Sequence, residues 1–162
     1  MKMQFTYNIF LIGFMGSGKS TVADYLCEKF DMDVVEMDQV IAERERMSIS
    51  DIFEKHGELY FRDLETKLLV ELQEKTNTVV SCGGGVAMRE CNVTEMKKNG
   101  KVVLLTAKPE TILERVENNH DRPLLENNKT VAYIAELMEK RREKYEAAAD
   151  MIIETDGKSG KL

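Results

Sequence analysis

The 162-residue sequence has no long apolar run. Its apolar runs, such as residues 9–13, are far below the roughly 20 residues that a membrane-spanning helix needs, which excludes a membrane-embedded function. No secretory signal is recognisable, because the single early charge, Lys2, is followed by no cleavage-site pattern; the expected compartment is the cytoplasm. Cysteine is scarce. Cys27, Cys82 and Cys91 form an odd set without C-x-x-C spacing, which argues against a disulfide framework or a zinc site and for reduced thiols. Of the two histidines, His56 precedes a glycine at an expected helix end and His120 lies in an expected loop, and neither has the partners of a metal site or a catalytic base. Basic charge is the minority: 23 Lys and Arg against 29 Asp and Glu give a net charge of -6. That is the wrong sign for a sequence-independent nucleic-acid binder. A small anionic ligand is still compatible, since a few placed arginines outweigh the global field locally.

The length fits one domain, 1–162, with a core large enough to need no disulfide or metal staple. A monomer is expected. Short unbroken apolar runs recur at 9–12, 34–35, 79–80, 102–105 and 151–153, the pattern of strands buried on both faces in a parallel sheet. Helical spacing fills the intervals. Val22, Ala23, Leu26, Cys27 and Phe30 share one apolar face, on which Cys27 is expected to pack, and Leu64, Leu68 and Leu72 form another. The fold class is therefore α/β. Two segments break the pattern as candidate ligand-facing loops: the Asn-rich stretch 117–129, which contains Arg122-Pro123, and the glycine-rich turn 81–86.

Residues 13–20, Gly-Phe-Met-Gly-Ser-Gly-Lys-Ser, match G-x-x-x-x-G-K-[ST] between the first strand and the first helix. Glycines there let backbone N–H groups approach phosphate oxygens, Lys19 reaches the β- and γ-phosphates, and Ser20 offers a hydroxyl to Mg²⁺. Nucleotide triphosphate binding follows. Glu36 and Asp38 flank the end of the second strand, where open α/β sheets bind ligands, although carboxylates at a helix start also serve as caps. Phosphoryl transfer needs such a group to accept a hydroxyl proton or to hold the metal's waters. Arg62 is either an exposed ion-pair partner of Glu58 and Glu65 or a fixed guanidinium. Glu65 faces inward with Leu64 and Leu68, and an inward carboxylate needs a cation. Arg141 falls on the stripe of Val131, Ile134, Met138 and Tyr145, so it either caps an internal carboxylate or reaches into a cleft, while Arg142 points to solvent.

These elements together resemble the shikimate kinase family over about residues 7–155: the phosphate loop, Glu36 and Asp38, the run from Ile52 to Glu65, Gly83-Gly84-Gly85, Arg122-Pro123-Leu124-Leu125, and Arg141 to Tyr145. The resemblance implies a three-layer P-loop kinase fold with a five-stranded parallel sheet, a substrate-binding helical region at about 37–65 and a lid at about 117–129. It implies transfer of the ATP γ-phosphoryl group to the 3-hydroxyl of shikimate, a step of aromatic amino-acid biosynthesis, with Mg²⁺ as cofactor. By the family's pattern, ATP lies on Gly16, Ser17, Gly18, Lys19, Ser20, Thr21, Arg115 and Arg122, with Arg115 against the adenine. Lys19, Asp38 and Arg122 are the catalytic group, and Asp38 is the base. Asp38, Arg62, Gly83, Gly84, Gly85 and Arg141 hold shikimate, the two arginines through its carboxylate; Ser20 ligates Mg²⁺ and Glu36 contacts it through water. ATP and shikimate are the implied partners, with no nucleic acid and no membrane. The chain departs from the family in carrying Glu36 for the usual Asp, Arg46 for the usual Gly, and Val22-Ala23-Asp24 after the phosphate loop. Alternatives at this point are a related kinase, such as one acting on gluconate, and a nucleotide-sensing module.

Overall fold

A computed structural model describes residues 5–116 and 130–156. Five strands, β1 (Asn8–Ile12), β2 (Asp33–Glu36), β3 (Thr78–Ser81), β4 (Gly100–Thr106) and β5 (Met151–Glu154), form one sheet in the order β2-β3-β1-β4-β5. Every pairing is parallel, and Phe10 of β1 stands opposite Val80 and Val102. Parallel strands need long crossovers, and helices supply them: α1 (Lys19–Phe30), α2 (Met37–Glu45), α3 (Ile49–His56), α4 (Glu58–Glu71), α5 (Glu90–Lys98), α6 (Pro109–Val116) and α7 (Val131–Ala148). Among the described residues, no helix is long and apolar enough to cross a membrane.

Alternate side chains of β1 enter two cores, and this explains its unbroken apolar run. Leu11 packs with Val22, Ala23, Met32, Val79 and Leu105 on the α1 side. Phe10 and Ile12 join the larger cluster on the other face, which contains Ile52, Leu68, Leu69, Met96 and Ile134. Two expectations fail at the periphery. The apolar run 151–153 does form β5, but as an edge strand with Met151 and Ile152 exposed rather than one buried on both faces. Cys27 is also exposed, because the buried stripe of α1 is only Val22 and Ala23 wide.

Local chemistry sets the helix ends that carry the site. Ser48 caps α3 by accepting from Asp51 N at 3.1 Å, and Thr130 caps α7 by accepting from Tyr133 N at 3.1 Å. Gly57, at φ 88°, turns the chain sharply from α3 into α4. Arg46 closes α2 in the left-handed conformation, φ 57° and ψ 39°, with its N–H directed at the carbonyls of Ala42 and Glu43. This is the position where glycine is favoured, since only glycine adopts that conformation without a Cβ penalty.

Candidate active site

All five strands run the same way, so the turns that follow β1, β2 and β3 open onto one edge of the sheet, where α/β folds place their ligands. The turn after β1 is the phosphate loop. It bends through positive φ at Gly13, Gly16 and Gly18 (146°, 81° and 104°), and a side chain at Gly13 would collide with the Leu105 carbonyl oxygen. Lys19 folds back over this loop, its Nζ donating to Gly13 O at 2.7 Å and Phe14 O at 3.2 Å. Ser17 is buried, with no hydrogen-bond partner for its hydroxyl among the described residues, whereas Ser20 and Thr21 in the first turn of α1 are exposed.

Arg115 reaches the loop from α6. Its guanidinium donates to Gly16 O at 2.9 Å, Thr155 Oγ1 at 3.0 Å and Thr155 O at 2.8 Å. Thr155 Oγ1 in turn donates toward Ser17 O, 2.6 Å away. The sequence pattern missed Thr155; a lone threonine after the last strand carries no signal of its own.

The turn after β2 delivers the acidic pair. Glu36 occupies the N-cap position of α2 and is half-buried, but its side chain makes no capping hydrogen bond, so capping does not account for its carboxylate. Asp38 is the second residue of α2, in its first turn. It meets Glu65 of α4 at the turn after β3, and Gly83 makes room for both: a Cβ there would stand 2.7 Å from Glu65 Oε2 and 2.9 Å from Asp38 Oδ1. The same construction at Gly84 meets Arg141 Nη1 at 3.1 Å, with Met15 N and Gly13 O of the phosphate loop at 3.7 and 3.8 Å. At Gly85 it meets the Arg62 guanidinium carbon at 2.5 Å. Three successive glycines thus let one carboxylate pair and two arginines close on a single turn beside the phosphate loop. The convergence extends to Asp38, Arg62, Gly83, Gly84, Gly85, Arg141 and the loop itself, while Arg122, His120 and the expected lid 117–129 lie outside the described residues.

The sequence left two roles open for Arg62, and the structure contains both. Its Nη1 bonds buried Glu65 Oε1 at 2.8 Å, and its Nε and Nη2 reach Glu58 Oε2 at 3.3 and 3.2 Å. Glu58 is largely exposed, so its half of the pairing is weak and exchangeable. Phe53 and Phe61 lie 5.8 and 5.3 Å from the guanidinium and restrain its plane. Arg141 reaches the cleft: it lies over the Phe14 ring at 5.7 Å, bonds Tyr145 Oη at 3.4 Å and has no carboxylate partner among the described residues. Tyr145, one turn along the same stripe, donates to Gly84 O at 2.5 Å and anchors the glycine turn. Arg142 is exposed and paired with Glu139 and Glu146, as its position off the stripe implies.

Burial dominates the electrostatics of Glu65. Loss of solvent lifts its carboxyl to about 7; the Arg62 charge and hydrogen bond oppose the rise, and nearby Asp38 adds to it. Burial also pushes the Cys82 thiol up, well out of the range of a reactive thiolate. It raises the Tyr145 hydroxyl too, against the pull of Arg141, so the phenol remains a hydrogen-bond donor.

The family model for shikimate kinase matches residues 15–162. The chain is 47% identical over 152 residues to a shikimate kinase of Persephonella marina, covering 94% of this chain and 91% of that one. It is likewise 47% identical over 141 residues to a shikimate kinase of a Sulfurihydrogenibium species, covering 87% and 84%. Its backbone superposes on the shikimate kinase of Acinetobacter baumannii in complex with shikimate with a TM-score of 0.90 at 34% identity, over 95% of this chain and 86% of that one. The Aquifex aeolicus shikimate kinase matches with a TM-score of 0.78 at 40% identity, over 92% and 87%.

Proposed function

The chain belongs to the shikimate kinase family, and from that membership we propose how its residues divide the work of the reaction. The enzyme transfers the γ-phosphoryl group of ATP to the 3-hydroxyl of shikimate, giving shikimate 3-phosphate and ADP. The observation that carries the assignment of residues is the meeting of Asp38, Arg62 and Arg141 on the Gly83–Gly84–Gly85 turn, with Gly84 against the phosphate loop.

The acceptor's planar carboxylate suits a guanidinium fork. Arg141, which has no carboxylate partner among the described residues, takes one side of it. Arg62 takes the other by exchanging its exposed Glu58 partner for the substrate while Glu65 and the two phenylalanine rings keep its plane fixed. Asp38 accepts the hydroxyl proton as the new O–P bond forms and the bond between the γ-phosphorus and the bridging oxygen breaks. The negative charge that develops on the departing ADP faces Lys19 and the backbone N–H groups of the loop. Lys19 reaches it by leaving the Gly13 and Phe14 carbonyls. Gly16, Ser17, Gly18, Ser20 and Thr21 form the rest of the triphosphate cradle, Arg115 buttresses it and lies against the adenine, and Arg122 is the further phosphate contact that the family's pattern implies.

The oxygen donors on this edge suit Mg²⁺, which prefers a few protein oxygens completed by phosphate and water. Ser20 Oγ is exposed at the start of α1, and the Glu36 carboxylate is not used as a cap. Ser20 would hold the ion directly and Glu36 through water, and the ion supplies neutralisation of the β- and γ-oxygens. We assign the enzyme to the cytoplasm, in keeping with three free thiols, and to a monomeric state that sedimentation velocity checks. The test of the whole reading is a coupled assay for ADP in the presence of Mg²⁺ and ATP. Release that depends on shikimate is expected; release indifferent to shikimate, or stimulated equally by gluconate, overturns it.

A further inference from the structure

The buried amide of Asn92 in α5 is engaged on both sides, and its partners form a closed circuit around the acceptor cleft. Its Nδ2 donates to Val86 O at 2.9 Å, and its Oδ1 accepts from Thr66 Oγ1 at 2.7 Å. Val86 directly follows Gly85, the residue whose missing Cβ admits the Arg62 guanidinium. Thr66 sits one helical turn beyond Arg62 in α4, with its hydroxyl 3.2 Å from the Arg62 carbonyl. A helical threonine ordinarily satisfies its hydroxyl on that preceding turn. Here the shorter contact crosses to α5 instead. The backbone of Arg62 and the tip of its side chain are therefore both referenced to the same short segment, residues 85 and 86. Arg89 reinforces the junction from outside, donating to Thr66 Oγ1 at 3.2 Å and Asp63 Oδ1 at 3.0 Å.

We infer that Asn92, acting through Thr66 and Val86, is a positioning residue that sets the gap between Arg62 and the Gly83–Gly84–Gly85 turn and thereby the affinity for the acceptor's carboxylate. A bidentate fork tolerates little displacement, so a slack junction between α4 and the turn costs the substrate contact before it costs the fold. The inference rests on the reading of Arg62 as a carboxylate clamp.

Thr66→Val tests it, because the replacement keeps the shape and removes the hydroxyl. The expected result is a rise of about tenfold in KM for shikimate, the scale of one lost buried hydrogen bond, with kcat and the KM for ATP within about twofold of the parent. Thr66→Ser restores the hydroxyl and brings the KM back to within about threefold. Should Thr66→Val fold poorly, Thr66→Ala removes the hydroxyl with no branched methyl and gives the same rise. Combined with Arg62→Lys, which has no fork to position, Thr66→Val should add less than about twofold. A shikimate KM unmoved by loss of the hydroxyl, or a rise of equal size in both backgrounds, overturns the positioning role while leaving the clamp intact. An Arg62→Lys enzyme with the parental shikimate KM overturns the clamp itself, and with it this inference.

Discussion

Replacing Glu65 by glutamine separates two forces that pull a sealed carboxylate in opposite directions. Desolvation drives it toward the neutral acid, whereas Arg62 Nη1, 2.8 Å from its Oε1, favours the anion. Burial prevails, and the group titrates near 7 against an ordinary 4.5. Between those two values the folded chain keeps a proton that the unfolded chain has released. Stability from this group is therefore complete below about pH 4.5, falls as the pH rises, and is gone above about pH 7. The span corresponds to about 3 kcal/mol. Glutamine does not titrate, so the Glu65→Gln protein should gain on the parent by up to about 3 kcal/mol between about pH 4.5 and pH 7, roughly 6–12 °C in Tm for a domain of this size. Carboxylates held low by their partners, such as Asp150 and Asp156, remain charged in both proteins across that window and cancel in the difference. Urea unfolding of both ligand-free proteins, followed by circular dichroism at half-unit pH steps, reads the effect. A difference constant to about 0.5 kcal/mol refutes the reasoning. So does a parent that gains on the variant as the pH rises, which would mean that the ion pair with Arg62 outweighs burial.

Arg62→Ala and Arg141→Ala should each weaken shikimate binding by about tenfold or more while ATP binding, measured alone by calorimetry, stays near the parental value; equal loss of both ligands would make the arginine structural. Asp38→Asn should lower kcat by about 10²- to 10⁴-fold with little change in ATP affinity, read by the coupled assay. Arg46→Gly relieves a left-handed helix end on an exposed residue, worth about 1–2 kcal/mol less the extra backbone entropy of glycine, so a net gain of about 0.5–1 kcal/mol is expected in urea unfolding, and Arg46→Ala should give no such gain. A thiol reagent should modify Cys27 and Cys91 in the native protein and reach buried Cys82 only on unfolding.

The sheet was legible because a strand buried on both faces has an unmistakable composition, and β1 and β4 have it. The same reasoning misjudged β5: three apolar residues look alike in sequence whether a neighbour covers them or the sheet ends there. The glycine-rich turn is a local feature, so its spacing alone placed it between β1 and α1. Glu65 was also legible, since an inward carboxylate on an apolar stripe requires a cation, and Arg62 provides it. The pairing of Thr66 with Asn92, and the hold of Arg115 and Thr155 on the phosphate loop, depend on which elements become neighbours in space. Spacing along the chain carries no trace of that. The face of Cys27 was misread because a five-residue arc at helical spacing is wider than the surface that α1 presents to the sheet.

The clasp of Thr155 on Ser17 joins residues 138 positions apart. A ribosome therefore releases the phosphate loop, and most of the strands around it, well before the residue that locks the loop has been made. Until residue 155 emerges and the last strand docks, the Ser17 carbonyl lacks that hydroxyl and, among the described residues, Arg115 has only Gly16 to hold. The loop is thus synthesised well before the residue that completes it. A nascent or carboxyl-terminally clipped chain can acquire most of its sheet and still hold nucleotide poorly.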